Sequence, residues 1–253
     1  RFAEHDRGSY LSYPYLLTNT LAGEQIPTVF LYPKQWNKTV AIWLHERGKA
    51  GLFDAAGEPI PAVKKLLDAG TSVVAADLFG QGEFLSEGDA LTEQRQGVNS
   101  FGYAGFTYGY NRALLAQRVA DVLSLISYVQ HHEEKSDRID LIGLGAAGPW
   151  AAAARAIAGD SIGRAVVDTA GYRFASITKP SDVQFLPGIV KYGDFPGLIA
   201  AGAPHATLLL GEAKTPELAE TVYRAAGVAE RLTLSPASGE AKATAAVDYL
   251  TAK

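Results

Sequence analysis

The chain of 253 residues contains neither cysteine nor methionine. Without cysteine it can form no disulfide, use no thiol nucleophile and build no thiolate metal site. It also lacks an apolar run long enough to span a bilayer, which predicts that it is not a membrane protein. Its net charge of −4 gives no general attraction to nucleic acids or anionic membranes. We therefore expect neither a nucleic acid nor a membrane as a partner.

The sequence does contain enough apolar residues for a substantial core. They make up 47% of the chain, and charged residues make up 20%, which is ordinary for a soluble globular protein. Without an internal repeat, low-complexity tract or linker, residues 1–253 are predicted to form a single domain. Because the chain begins at Arg1 and shows no signal peptide, we expect a mature form or a domain excised from a longer multidomain chain.

Strand-like and helix-like segments alternate along most of the chain. The predicted strands are 13–18 and 27–32, which form an antiparallel edge pair, followed by 39–44, 71–76, 139–142, 164–167, 206–210 and 231–234. The predicted helices are 61–69, 111–131, 149–158, 216–226 and 241–250. This alternation predicts an α/β fold, with a mostly parallel sheet of about eight strands and helices on both faces. A long polar and aromatic loop (79–107) and a glycine- and proline-rich insertion (171–203) complete the prediction.

The most informative segment is a glycine-rich turn between a predicted strand and an alanine-rich helix. It reads Gly143-Leu-Gly145-Ala-Ala-Gly148. In a nucleophile elbow, G-x-S-x-G at such a turn holds a serine exposed above the sheet. Here the serine position is Gly145, which has no side chain with which to attack a carbonyl group.

An edge hairpin, alternating units and a glycine elbow after the fifth strand resemble the α/β-hydrolase superfamily, in particular its acetyl xylan esterase and dienelactone hydrolase branch. The segments that carry the resemblance are Ile26-Pro27, Tyr32-Pro33, 44–49 (LHERGK), 77–82 (DLFGQG) and 143–148 (GLGAAG). The likeness covers nearly the whole chain. It implies an α/β-hydrolase fold, a relationship to carbohydrate esterases and a secreted or periplasmic location. In such enzymes a serine attacks an ester carbonyl, a histidine takes its proton, and an acid orients the histidine.

None of the three triad positions implied by this resemblance holds the expected residue. The serine position is Gly145, the acid position after strand 206–210 is Lys214 with Glu212 nearby, and residues 236–240 contain no histidine. No histidine follows His205 at all. The joint loss predicts a catalytically silent domain, a pseudoenzyme, that is a structural or ligand-binding partner of an active esterase domain.

Two alternatives remain open. The first is an active carboxylic-ester hydrolase on acetylated polysaccharide, which uses His45, Asp77 and Asp168 with an activated water instead of a serine. His45 could instead orient its own loop, and the two aspartates could cap the segments that follow them. The second alternative is a nucleotide or anion binder, because G-x-G-x-x-G at the turn also matches a dinucleotide fingerprint. We expect no cofactor and no metal.

Several side chains are candidates for binding a carbohydrate or a small ester. Arg47 and Lys49 could clamp a carboxylate or sugar acid, or could pair internally with Glu46. The aromatic and glycine-rich loop 101–111 could stack on a sugar or pack as a lid on the core. The candidate ligand-binding residues are His45, Arg47, Lys49, Tyr103, Tyr108, Tyr110 and Ala146.

Two further histidine-containing segments lie at predicted positions away from the site. His131-His132-Glu133-Glu134 resembles a metal cluster, but consecutive histidines on a helix point apart, so a solvated helix end is predicted there. His205 precedes its strand, which predicts that it lies at the opposite edge of the sheet.

Overall fold

The computed structural model describes residues 4–85, 91, 93–94 and 108–252. Nine strands of these residues form one sheet, in the order β1-β2-β3-β5-β4-β6-β7-β8-β9. The strands are β1 (His5–Asp6), β2 (Tyr10–Asn19), β3 (Glu24–Pro33), β4 (Thr39–Leu44), β5 (Ser72–Ala76), β6 (Arg138–Gly143), β7 (Ala165–Asp168), β8 (Thr207–Leu210) and β9 (Leu232–Leu234). The helices are α1 (Pro61–Asp68), α2 (Leu114–His131), α3 (Gly148–Ala158), α4 (Asp194–Ala201), α5 (Glu217–Ala225) and α6 (Ala241–Thr251).

Six neighbouring strands, from β5 through β4 to β9, run parallel. The other three, β1, β2 and β3, form an antiparallel edge. The predicted mostly parallel sheet and its edge hairpin are therefore confirmed. The strand count is nine because the two-residue strand β1 pairs with the start of β2, a contact too short to show in the hydrophobic pattern.

The core lies on both faces of the sheet because the central strands alternate their side chains between them. Ile42 of β4 packs with the apolar residues of α2, α3 and α4. Its neighbours Ala41 and Trp43 point to the other face and pack with α1 and α6. This period of two explains why a continuously apolar run forms a fully buried strand.

One predicted helix boundary and one predicted loop differ from the structure. α2 begins at Leu114 rather than at residue 111, because Ala113 is extended and the Leu114 N–H donates to Oε1 of Gln94 at 2.9 Å. A side chain from another segment thus takes the first helical N–H. The insertion 171–203 contains the unpredicted helix α4, which buries Phe195 and Ile199. Most of the predicted loop 79–107 lies outside the described residues.

Among the described residues, the structure contains no helix with the length and apolar character that a membrane span requires.

Candidate functional site

The candidate site lies at the carboxyl edge of the parallel strands. Successive strands end there in register, since Leu44 pairs with Gly143 and Asp168 pairs with Leu210. Ligands bind at this edge in open α/β sheets. The residues that leave the strands here are His45 after β4, Asp77 after β5, Gly145 after β6, Asp168 at the end of β7 and Glu212 after β8.

The glycine turn after β6 faces a carboxylate from the neighbouring loop. Gly145 has a left-handed φ of +57°, and a Cβ atom added there would lie 3.0 Å from Oε2 of Glu46. The same oxygen accepts a long hydrogen bond of 3.4 Å from the N–H of Ala146. In a nucleophile elbow, the N–H after the nucleophile stabilises the oxyanion. Glu46 therefore borders the space that a side chain at position 145 would enter, and it contacts the Ala146 N–H.

Asp168 is held at the base of this turn by four hydrogen bonds. Its oxygens accept the N–H groups of Gly145 and Ala170, each at 3.0 Å. The ammonium group of Lys242 donates to both oxygens, at 2.8 and 2.9 Å. The Asp168 side chain is only 2% exposed and that of Lys242 is 20% exposed. A carboxylate has about four lone-pair sites, so this one is fully engaged.

Lys242 is the main site residue that sequence reasoning missed. It lies in the first turn of α6, directly after segment 236–240, in which the resemblance implied a histidine. The sequence pattern does not identify a lysine near the start of a helix as a site residue, because charged residues in a first turn are usually solvated. Only the packing of α6 against the sheet brings Lys242 to Asp168.

Asp77 joins the loops that follow β4 and β5. It accepts the N–H groups of Lys49 and Glu83, each at 3.0 Å, and the Lys49 ammonium at 2.5 Å. Gly48 and Gly82 have left-handed φ angles, and a Cβ on either would come within 2.3 Å of the Asp77 carboxyl group. Asp77 thus caps both loops. Lys49 bonds Asp77 and Glu83, whereas the sequence had left pairing with Glu46 open.

His45 is fixed by its own loop. Its Nδ1 accepts the N–H of Arg47 at 3.0 Å, and its ring packs so closely on Gly51 that a Cβ there would lie 2.4 Å away. Burial lowers the pKa of His45, which the Glu46 carboxylate opposes and Arg47 reinforces. The neutral ring therefore carries its proton on Nε2, and His45 orients the loop that presents Glu46.

No protein-family model and no curated protein sequence matches the chain. Solved structures do match it. A Bacteroides fragilis protein assigned as an acetyl xylan esterase aligns with a TM-score of 0.63 and 17% identity, over 93% of this chain and 69% of its own. A Klebsiella pneumoniae protein assigned as a dienelactone hydrolase aligns with a TM-score of 0.59 and 14% identity, over 97% and 98% of the two chains.

A third match is a glucuronoyl esterase of carbohydrate esterase family 15 from Caldicellulosiruptor kristjansonii. Its TM-score is 0.57 and its identity 15%, over 98% of this chain and 77% of that enzyme. The protein has the α/β-hydrolase fold. The predicted resemblance to this superfamily is confirmed at the level of the fold.

In this α/β-hydrolase fold, the insertion 171–203 contacts the elbow through the buried side chain of Gln184. Gln184 donates from Nε2 to the carbonyl of Ala146 at 2.7 Å and accepts the indole N–H of Trp150 at 2.8 Å. Nearby, Glu212 forms a two-pronged ion pair with Arg173 of the insertion, at 2.7 and 3.1 Å. Glu212, the carboxylate near the acid position, is therefore also engaged in a structural contact.

The predicted aromatic ligand residues have different environments. Tyr108 donates to the carbonyl of Pro180 at 2.6 Å and packs on Phe185 with ring centroids 5.3 Å apart. Tyr108 itself thus contacts the insertion through both its hydroxyl group and its ring. Tyr110 is 89% exposed. Tyr103 lies outside the described residues.

The remaining histidines lie away from the elbow. His131 ends α2, and His205 precedes β8, where its Nδ1 lies 3.7 Å from an Asp160 oxygen. In the part of the chain that the structure describes, no three histidine or carboxylate side chains are grouped closely enough to hold a metal ion.

A buried carboxylate below the site makes stability depend on pH. Asp121 of α2 accepts the N–H of Phe79 at 2.7 Å, beside Arg118, whose Nε donates to the Phe79 carbonyl at 3.1 Å. Burial raises the pKa of Asp121 to about 6 from 3.8, although the Phe79 N–H opposes the shift. The folded state thus favours the protonated form, so this contribution to stability is present below pH 3.8 and lost as the pH rises through about 6.

We expect Asp121→Asn, which cannot ionise, to gain stability relative to the parent chain between pH 4 and 7. A shift of two pKa units corresponds to about 3 kcal/mol. Urea unfolding curves across this pH range measure the difference, and Asp68→Asn, at an exposed carboxylate, controls for the loss of one charge. A difference between Asp121→Asn and the parent that stays constant with pH would contradict the prediction.

Proposed function

We propose that the chain is a catalytically silent α/β-hydrolase-like domain, related to carbohydrate esterases, that acts as a structural or ligand-binding partner of an active esterase domain. The observation that carries the proposal is the Glu46 carboxylate beside Gly145, the residue at the serine position, with an oxygen 3.0 Å from where a Cβ of residue 145 would lie. The esterase descriptions of the matched structures support the relationship.

The charge of Glu46 opposes ester hydrolysis at this elbow. Attack on an ester carbonyl creates an oxyanion, which the Ala146 N–H would have to stabilise. That N–H already contacts the Glu46 carboxylate. Two negative charges about 4 Å apart repel by about 1 kcal/mol in water and about 4 kcal/mol near a protein surface. The elbow is thus unfavourable for the charge that acyl transfer develops.

The residues of the serine-free alternative are committed to other contacts. A general base needs a free lone pair directed at water. Four hydrogen bonds engage Asp168, and Asp77 caps two loops. His45 uses its acceptor nitrogen on the Arg47 N–H. These contacts favour structural roles for all three side chains.

We expect the purified chain to hydrolyse neither p-nitrophenyl acetate nor acetylated xylan above the background of an identically prepared His45→Ala variant. Gly145→Ser should remain inactive, because its hydroxyl would meet the Glu46 carboxylate and the His45 Nδ1 is occupied. Gly145→Ala is the matched control, since both variants introduce a Cβ at a left-handed φ of +57°, at a cost of about 1–2 kcal/mol.

Two results would overturn this proposal. Turnover by the parent chain that disappears in His45→Ala or Asp168→Asn would establish a hydrolase without a serine. Turnover by Gly145→Ser but not by Gly145→Ala would show that only the nucleophile is missing. A rise in melting temperature with NAD or NADP would instead favour a dinucleotide binder.

A further inference from the structure

A groove lined by aromatic side chains lies along the antiparallel edge of the sheet. We call it the aromatic groove and define it by the half-buried rings of Tyr13, Tyr15, Tyr32, Trp36 and Tyr128, which surround a cavity of about 850 Å³. Cavities of 300–1,000 Å³ are typical of small-molecule sites.

The strand pattern places these rings on one face. Tyr13 and Tyr15 are two residues apart on β2, and Phe30 and Tyr32 are two apart on β3, so each pair points the same way. Tyr13 pairs with Phe30 across the strands, which joins the two pairs. The ring centroids of Tyr13 and Tyr32 are 5.8 Å apart, as are those of Tyr15 and Tyr128. The rings therefore form one continuous surface.

The aromatic groove is separate from the elbow, because strands β5 and β4 lie between the rings of β2 and β3 and strand β6. Trp36 lies three residues before β4, and His131 at the end of α2 precedes β6. The elbow follows the carboxyl end of β6. The parallel strands share one direction. A residue that precedes one of them and a residue that follows one of them therefore lie at opposite ends of these strands. The groove is thus separate from the site that the sequence resemblance indicated.

The rim of the groove combines donors and acceptors of both charge signs. It contains Lys34, His131, His132, Glu133 and Glu134. A lipid-like ligand would form no hydrogen bonds with these polar groups. A strongly charged ligand would be repelled by the rim residues that carry the same charge. A sugar ring offers apolar C–H faces, which stack on aromatic rings, and hydroxyl groups, which both donate and accept hydrogen bonds.

We propose that the aromatic groove binds a neutral oligosaccharide. The walls are held in place before binding, since the Trp36 indole donates to the carbonyl of Thr39 at 3.0 Å. The Tyr13 hydroxyl donates to Glu4 at 2.8 Å. Such preorganisation lowers the entropic cost of binding. The inference is independent of catalysis at the elbow.

The test titrates xylohexaose, cellohexaose and mannohexaose into the full chain by isothermal titration calorimetry and tryptophan fluorescence. Of the three tryptophans in the chain, Trp43 and Trp150 are each 1% exposed, so a change on binding reports Trp36. We expect saturable heat from at least one hexasaccharide, with a matching fluorescence change. Trp36→Phe should lose the fluorescence change and keep much of the heat.

Tyr13→Ala should weaken binding by about tenfold, as expected for an aromatic side chain central to a binding site. Tyr13→Leu, which retains apolar volume, provides the same test if the alanine variant folds poorly. Tyr192→Ala removes a tyrosine that is 73% exposed and outside the groove, and it should bind as the parent does. Glu46→Gln should also bind normally, which separates this result from the properties of the elbow.

The proposal is overturned if none of the three hexasaccharides gives saturable heat at millimolar concentration. It is also overturned if Tyr13→Ala and Tyr13→Leu, both folded, bind like the parent. Self-association in sedimentation experiments that Tyr13→Ala abolishes would show that a second copy of the chain occupies the groove instead.

Discussion

Lys242→Met should lower the free energy of unfolding by about 3 kcal/mol. The substitution keeps the length and apolar stem of the side chain but removes the ammonium group that binds both oxygens of Asp168. Asp168 is 2% exposed, so its charge would remain in the core with only the N–H groups of Gly145 and Ala170 as donors. An uncompensated buried charge is among the largest single-residue costs. Urea denaturation at pH 7 measures the loss.

The neighbouring pair of Lys65 and Asp248 provides the control. This pair likewise consists of a lysine and an aspartate, and it joins α1 to α6. Its side chains are 50% and 55% exposed. Lys65→Met should therefore cost no more than about 1 kcal/mol. The double variant Lys242→Met/Asp168→Asn should recover part of the loss by removing the stranded charge. Equal effects of the two lysine substitutions would rule out the buried pair as a main source of stability.

Among the described glycines, Gly148→Ala should be the most damaging substitution by alanine, and it should prevent accumulation of folded protein. Gly148 is the first residue of α3 and has ordinary helical angles, so backbone strain is not the reason. A Cβ there would lie 1.8 Å from the carbonyl oxygen of Asp168 and 2.7 Å from its carbonyl carbon. Because both neighbours are backbone atoms of β7, relief requires α3 to move away from the sheet.

Gly202→Ala is the matched comparison. Gly202 directly follows α4 with right-handed helical backbone angles, and its added Cβ would meet its nearest neighbour at 3.1 Å. We expect a change of at most about 1 kcal/mol there. The soluble yield and the circular dichroism melting curves of the two variants measure the contrast. A folded Gly148→Ala protein with a near-parental melting temperature would show that α3 and β7 are not in the close contact described.

The fold could be predicted from the sequence because its signals are local. The apolar run 39–44 and the repeated strand and helix periods identify a parallel sheet without any knowledge of contacts. The two-residue strand β1 and helix α4 could not be predicted, since each depends on what it packs against. Likewise, α2 begins at Leu114 because of the distant Gln94, which no helix propensity describes.

The candidate site was predictable in position but not in its contacts. The ends of parallel strands meet at one edge, and so His45, Asp77 and Asp168 could be placed there from sequence. What each aspartate binds depends on side chains far away in the chain, such as Lys242 for Asp168 and Lys49 for Asp77. Glu46 had no distinctive pattern, because a glutamate on a loop is usually solvated.

Glu46 also has a consequence for any search for ligands at the elbow. Its carboxylate belongs to the same chain as the Ala146 N–H that it contacts. It therefore competes with every free anion as an intramolecular ligand. A group tethered by a short flexible link has an effective concentration on the order of millimolar or more. Acetate or a sugar acid at micromolar concentration would therefore bind poorly to the parent chain. Screening for anionic ligands of the elbow should begin with Glu46→Gln, in which that internal competitor has lost its charge.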